Sequence, residues 1–243
     1  MERPILIQVA MKVECEKLLK KIENIKEKSI KGYKFYEGTI NNYKIVLLLS
    51  NVGLIQTSAS LMLAINEYNP IAIINMGIAG STSPNLHIKD IIIGTECLNI
   101  NSYKTSIKEK NKGSDSINWE LLTFLSGEED KLIIEQSDKE LIELTKKINI
   151  DSNVYYGRIG SGDCWNREID KIISLNEKYK IVCEDMESIA VYTIANQFKI
   201  PVISIKCISD NVLTGEEYDR TVGSYIQEYI FNYIKILIDK FNY

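Results

Sequence analysis

Carboxylates are the residues of this chain best placed to do chemistry, and they gather in one stretch, Cys183 to Asn211. Glu184, Asp185 and Glu187 fall within four positions, where an apolar helical pattern begins with Met186, Ile189, Ala190 and Ile194. After Pro201, the run Val202 to Ile208 reads as a buried strand, yet it carries Lys206, which requires a partner or a purpose. The strand ends in Ser209-Asp210-Asn211, and ligands of open α/β sheets gather at the carboxyl ends of strands. Asp210 is therefore well placed for chemistry. Near the other end of the chain, Glu14 follows the apolar run Pro4 to Ala10, where a first strand would hand over to a helix. Taken singly, each of these acids is better explained as a helix cap or turn residue, because the helix dipole favours acids in a first turn. Their joint spacing is what calls for one site.

The elements that would position them follow from periodicity. Strand Pro4 to Ala10 leads into a helix read over MKVECEKLLKKIENI. Tyr33 to Gly38 and Lys44 to Leu49 read as a hairpin about Asn41-Asn42. Ser50-Asn51-Val52-Gly53 is a short turn opening the helix LIQTSASLMLAINEY. Ile71 to Asn75 is a strand ending in a turn, Met76 to Ser81, whose glycines let a ligand approach the backbone. Ile91 to Leu98 and Asn153 to Ile159 read as strands, and Asp138 to Ile148 and Ser224 to Phe241 as helices, the last for core or subunit contact. Lys104 to Asn118 is polar and glycine-bearing and reads as a mobile loop or lid; Trp119 to Phe124 has no assignment. Strands alternating with helices imply one three-layer α/β/α domain over residues 1–243, with a mostly parallel or mixed sheet.

Composition narrows the function. The length of 243 residues suits one such domain, and a net charge of −4 without a basic cluster argues against nucleic acid or an anionic membrane as partner. A small molecule is the expected partner. Cys15, Cys97, Cys164, Cys183 and Cys207 are scattered and lack zinc or disulfide spacing, which points to a reducing cytoplasm. No run is long enough to span a bilayer. His87 is the single histidine and sits in a polar turn, so histidine-based nucleophilic catalysis is not expected.

Glu184-Asp185-Met186-Glu187, followed some twenty residues later by Ile208-Ser209-Asp210, resembles the signature of the purine nucleoside phosphorylase superfamily. Within it the chain resembles the bacterial 5′-methylthioadenosine/S-adenosylhomocysteine nucleosidases, from about Ile5 to the C-terminal helix and least between Leu98 and Asp151. The resemblance implies a partly curled mixed sheet, a homodimer, and cleavage of the N-glycosidic bond of an adenine nucleoside without metal or organic cofactor. It implies Asp210 as the general acid at purine N7, Glu14 as the base that activates water, and Glu187 as acceptor of the ribose hydroxyls. Met11 and Met186 would contact the ligand, Met186 against the sugar, and Val52 would lie at the base. In Gly160 to Asn166, Trp165 would stack on the purine and Asn166 would read its edge through its backbone. Ser209 would accompany Asp210.

Two departures stand out. The family's Gly-Ser-Ala-Gly turn reads Gly77-Ile78-Ala79-Gly80 here, which removes a hydroxyl near the water. Lys206 stands where an arginine is usual, keeping the cation without the planar fork. The rival readings are a phosphate-dependent purine nucleoside phosphorylase and a weakened nucleoside-binding protein. The first lacks an evident arginine cradle, since Arg3, Arg158, Arg167 and Arg220 all lie outside the first two glycine-type turns.

Overall fold

β-branched and leucine-rich runs supply a central sheet, and the amphipathic segments between them supply its covering helices. The computed structural model describes residues 3–113, 118–123 and 131–241. In chain order the elements are β1 (Ile5–Val9), a 3₁₀ turn (Lys12–Glu14), α1 (Glu16–Leu19), β2 (Glu23–Ile30), β3 (Tyr33–Ile40), β4 (Tyr43–Leu49), α2 (Leu54–Tyr68), β5 (Ala72–Ser81) and β6 (Ile91–Asn99). They continue with β7 (Tyr103–Thr105), β8 (Trp119–Leu121), β9 (Ile134–Gln136), α3 (Lys139–Thr145), β10 (Val154–Ser161), α4 (Ile169–Tyr179), β11 (Ile181–Asp185), α5 (Ser188–Gln197), β12 (Val202–Asp210) and α6 (Val222–Phe241).

The main sheet runs β11-β10-β6-β12-β5-β1-β4-β3-β2, with β9 added to β6, and β7 pairs with β8 apart from it. β4, β1, β5 and β12 are mutually parallel, whereas β6 lies antiparallel to β12 and carries β10 and β11 parallel to itself. The sheet then curls far enough for β11 to pair antiparallel with β5, Cys183 opposite Ser81 and Glu184 opposite Gly80. The carboxyl ends of β5 and β11 thus meet head-on, as the curled mixed sheet expected above requires.

Alternation along β1 splits the core between the two faces of the sheet. Ile5, Ile7 and Val9 pack with Ile226, Tyr229, Ile230 and Tyr233 of α6, while Leu6 packs on the opposite face with Leu61 and Ala64 of α2 and Val191 of α5. Each such fully buried aliphatic or aromatic side chain contributes about 1.5–3 kcal/mol. α6 is therefore core. A smaller cluster joins Leu175 and Tyr179 of α4 to Trp119, Leu121 and Ile181.

Four sequence expectations need correction. The helix read from Met11 onward stops at Leu19, and Glu23–Ile30 is an exposed strand, because hydrogen bonds to β3 outweigh a lysine-rich helical pattern. The supposed turn Met76 to Ser81 continues β5, paired on both sides by β12 and β11. Glu184 and Asp185 end strand β11, and only Glu187 stands at the cap of α5, so the acids do not occupy a first helical turn. Of the loop read over Lys104 to Asn118, Lys104 and Thr105 belong to β7, and positions 114–117 lie outside the described residues, as does Phe124.

Candidate active site

The strands of the curl bring their carboxyl ends to one cleft of about 250 Å³, lined among others by Met11, Glu14, Val52, Ile78, Trp165 and Glu184. Asp185, Met186, Glu187, Ser209, Asp210 and Tyr218 complete the part of the lining that bears on chemistry. β1 with its 3₁₀ turn delivers Glu14, β5 delivers Ile78, β11 delivers Glu184 and Asp185, and β12 delivers Ser209 and Asp210.

Glu14 is held by three backbone donors. Its Oε2 accepts the N–H groups of Ala10 (3.1 Å) and Met11 (2.8 Å), and its Oε1 accepts that of Ile78 (3.1 Å). It is only 2% exposed, and this burial pushes its pKa up in spite of nearby Lys206 and the three donors. Gly77 makes the close approach possible, because a Cβ there would come within 2.7 Å of Glu14 Oε1. Gly77 thus acts beneath Glu14 and is absent from the cleft lining.

Lys206 is also not on the cleft surface. It is buried in β12 with its Nζ 2.6 Å from Asp185 Oδ2. Burial alone would lower its pKa, but Asp185, Glu187 and Glu14 hold it above its ordinary value. Asp185 answers in kind: burial would raise it, yet Lys206 and the N–H and hydroxyl of Ser188 hold it below the usual range. Beside this pair lie two further acids of the cleft.

Glu187 accepts the N–H of Gly53 at 3.0 Å, and its burial, with the charge of Asp185 added, pushes its pKa up to about 7. Glu184 lies on the same cleft, and burial, reinforced by Asp210, takes its pKa up to about 7 as well. Asp210 receives the Ser209 hydroxyl on Oδ1 at 2.7 Å. Trp165 is 53% exposed, and its ring meets Tyr218 edge-on with centroids 5.2 Å apart, which leaves an aromatic wall open to a flat ligand.

The expected residues Met11, Glu14, Val52, Ile78, Trp165, Met186, Glu187, Ser209 and Asp210 therefore share one cleft, while Gly77, Asn166 and Lys206 stand behind it. Asn166 differs most from expectation. Its backbone N–H donates to Glu184 Oε1 at 3.0 Å and its side-chain amide to Glu184 Oε2, so neither donor is directed at a ligand. Several lining residues had no role in the sequence reading, Glu184 and Tyr218 among them. Glu184 stood among the clustered acids, and its place at a strand end was the missing clue; Tyr218 lies in a turn whose composition carries no such signal.

Comparison with known proteins agrees with this geometry. The family model described as Phosphorylase superfamily matches residues 4–232. A 5′-methylthioadenosine/S-adenosylhomocysteine nucleosidase of Buchnera aphidicola subsp. Schizaphis graminum is 31% identical over 204 residues, 83% of this chain and 81% of that one. Its namesake from Staphylococcus carnosus is 29% identical over 220 residues, 90% of each chain. The structure of the nucleosidase of that name from S. pneumoniae, with a transition-state inhibitor, superposes with a TM-score of 0.79 at 21% identity, covering 96% of this chain and 99% of that one, and so bears on the fold. With its sheet, its length and its sequence matched in this way, the chain belongs to the phosphorylase superfamily and, within it, to the 5′-methylthioadenosine/S-adenosylhomocysteine nucleosidases.

Proposed function

We propose that the protein hydrolyses the N-glycosidic bond of an adenine nucleoside of the 5′-methylthioadenosine or S-adenosylhomocysteine type, giving adenine and a free ribose derivative. The observation that carries this reading is Glu14. The backbone donors of Ala10, Met11 and Ile78, which could otherwise cradle an anion, are already committed to its carboxylate. A phosphate would meet negative charge there, whereas water meets a base. Two of the four arginines are engaged away from the cleft, Arg3 on the carbonyls of Asn69 and Pro70 and Arg158 on Glu96, and a third, Arg167, lies over the Trp165 ring.

In this mechanism the base lies against Trp165, and Asp210 protonates N7 as the bond from N9 to C1′ breaks. Glu187 accepts the ribose hydroxyls and places negative charge beside the developing ribosyl cation. Glu14, made a stronger base by burial, takes a proton from the water that attacks C1′. Met11 and Met186 pack against the sugar, and Val52 and Ile78 close the apolar side. The Ile78 side chain brings no hydroxyl, but its N–H orients the base that matters. Gly77 and Lys206 act from behind, through Glu14 and through Asp185.

We further propose a homodimer in a reducing cytoplasm. Val52 and, one turn on, Ile55 are exposed apolar groups by the cleft, 44% and 78% accessible, suited to cover by a second copy. The five thiols are free, and no described helix is long and apolar enough to cross a membrane. Light scattering of the purified chain tests the dimer.

The test of the reaction is to supply 5′-methylthioadenosine, S-adenosylhomocysteine, adenosine and inosine with and without phosphate and identify the products. Adenine and a free sugar are expected at a rate indifferent to phosphate, with Glu14→Gln depressing kcat far more than substrate affinity. A sugar 1-phosphate formed only with phosphate, and surviving Glu14→Gln, overturns the reading.

A further inference from the structure

Glu184 is the acid that the mechanism leaves unused. It sits at the carboxyl end of β11, lines the cleft with Trp165 and Asp210, and is 7% exposed. Desolvating a carboxyl to that degree costs several kcal/mol unless it is bonded. The bonds come from one residue: the N–H and side-chain amide of Asn166 each hold one oxygen, and Asn166 Oδ1 in turn takes the Cys164 thiol at 3.2 Å. The backbone N–H of Asn166 and one hydrogen of its side-chain amide are thereby committed to Glu184, and the group beside them on the cleft lining is that carboxyl.

We propose that Glu184 is a specificity-determining residue that reads the six-membered-ring edge of the purine, so that the site takes 6-oxopurine nucleosides as well as adenine nucleosides. The proposal rests on the nucleosidase reading above. Each carboxyl oxygen, while bonded to Asn166, keeps a second lone-pair direction. Adenine offers an acceptor at N1 and a donor at N6, which a neutral carboxyl matches with its O–H and its carbonyl. A 6-oxopurine offers a donor at N1, which an ionised carboxylate matches. Adenine thus requires the neutral side chain, whereas a 6-oxopurine is still held at N1 by the ionised one, and sites built on a buried hydrogen bond discriminate strongly against a ligand that cannot complete it.

The surroundings place the choice within reach of ordinary pH. Asp210 from β12 opposes ionisation and Lys171 from α4 favours it, Asp185 adjoins it in β11, and the thiols of Cys164 and Cys183 lie close by. Burial dominates, and the balance falls at about 7. Lys171 acts from a distance, its ammonium lying over the rings of Tyr103 and Trp119.

The test compares kcat/KM for 5′-methylthioadenosine and 5′-methylthioinosine at pH 6 and pH 8. Ionisations of groups that act on both substrates alike, such as Glu14 and Glu187, cancel in the ratio. The adenine preference is expected to fall at least about tenfold over that range, out of the roughly hundredfold that two pH units allow a single group. Glu184→Gln, whose amide cannot ionise, is expected to hold the ratio constant between the two pH values. A wild-type ratio that does not change with pH overturns the proposal, as does a Gln variant that follows the wild type. Calorimetry of adenine and hypoxanthine at the same two pH values must show the same shift without any turnover. Absence of turnover alone therefore refutes the hydrolase reading, and the affinities still decide the role of Glu184.

Discussion

Ser209 and Asp210 illustrate how little side-chain machinery the proposed general acid needs when the backbone does the placing. The Ser209 hydroxyl takes one carboxyl oxygen of Asp210, and Gly80, whose added Cβ would lie 3.4 Å from Oδ2, leaves room for the other. Asp210→Asn keeps that volume and loses the transferable proton. Turnover of an adenine nucleoside is expected to fall roughly 10²–10⁴-fold, while adenine still binds, as calorimetry would report; full turnover in this variant would remove Asp210 from the role. At this scale the sequence was informative about Asp210 and Glu14, because each follows an apolar strand and strand ends are where ligands collect. It was silent on the partners of Asn166 and Lys206, Glu184 and Asp185, which lie 18 and 21 positions away along the chain and are brought to them by the pairing of β10 with β11 and by the closure of β11 onto β5 respectively.

Strand β12 shows the element-scale logic. All nine residues are buried, and the one cation among them is satisfied by Asp185 of β11, with Glu187 and Glu14 close enough to raise its pKa. Lys206→Met leaves Asp185 buried without its counterion, and a loss of about 3–5 kcal/mol is expected from urea unfolding. Pairing the change with Asp185→Asn should restore part of that loss; a double variant no better than Lys206→Met alone would mean the pair is not the source. The hairpin β3–β4 was legible because Asn41 and Asn42, at φ 49 and 61, adopt the left-handed geometry that their residue types favour. β2 was not legible, since an edge strand with exposed lysines lacks the alternation that marks a half-buried one. β5 was cut short in the reading because glycines were taken as a turn, whereas they are there for the close passage of Glu14 and neighbouring strands.

Across the whole molecule the buried acids set the pH dependence of stability. Glu184 and Glu187 move from an ordinary 4.5 to about 7, and Glu14 also moves upward. Between those values the folded chain keeps protons that the unfolded chain has released, so stability falls as pH rises from about 5 to 7. Asp185 works in the opposite sense: its stabilisation is present above its ordinary 3.8 and is lost as pH falls through its lowered folded value. Stability is expected to peak between about pH 4 and 5 and to drop by on the order of 3 kcal/mol for each of Glu184 and Glu187 by neutrality, with Glu14 adding in the same direction, seen as a declining urea midpoint. A midpoint that climbs between pH 5 and 7 would contradict this balance.

The curl that joins β11 to β5 also determines where the molecule is exposed to its own kind. With that side of the sheet paired, the sheet path ends openly at β2, a row of backbone groups available to another chain. The strand is guarded by Lys26, Glu27 and Lys28 and bent by an irregularity between Glu23 and Lys26, with Asn24 at φ 54. Replacing Lys26 and Ser29 by valine would flatten and grease that border while leaving the core and the cleft untouched. The expected result is turbidity on standing at working concentration with the melting midpoint and catalysis of the fresh protein unaltered, so the shelf life of the enzyme is governed at the far end of the sheet from its chemistry.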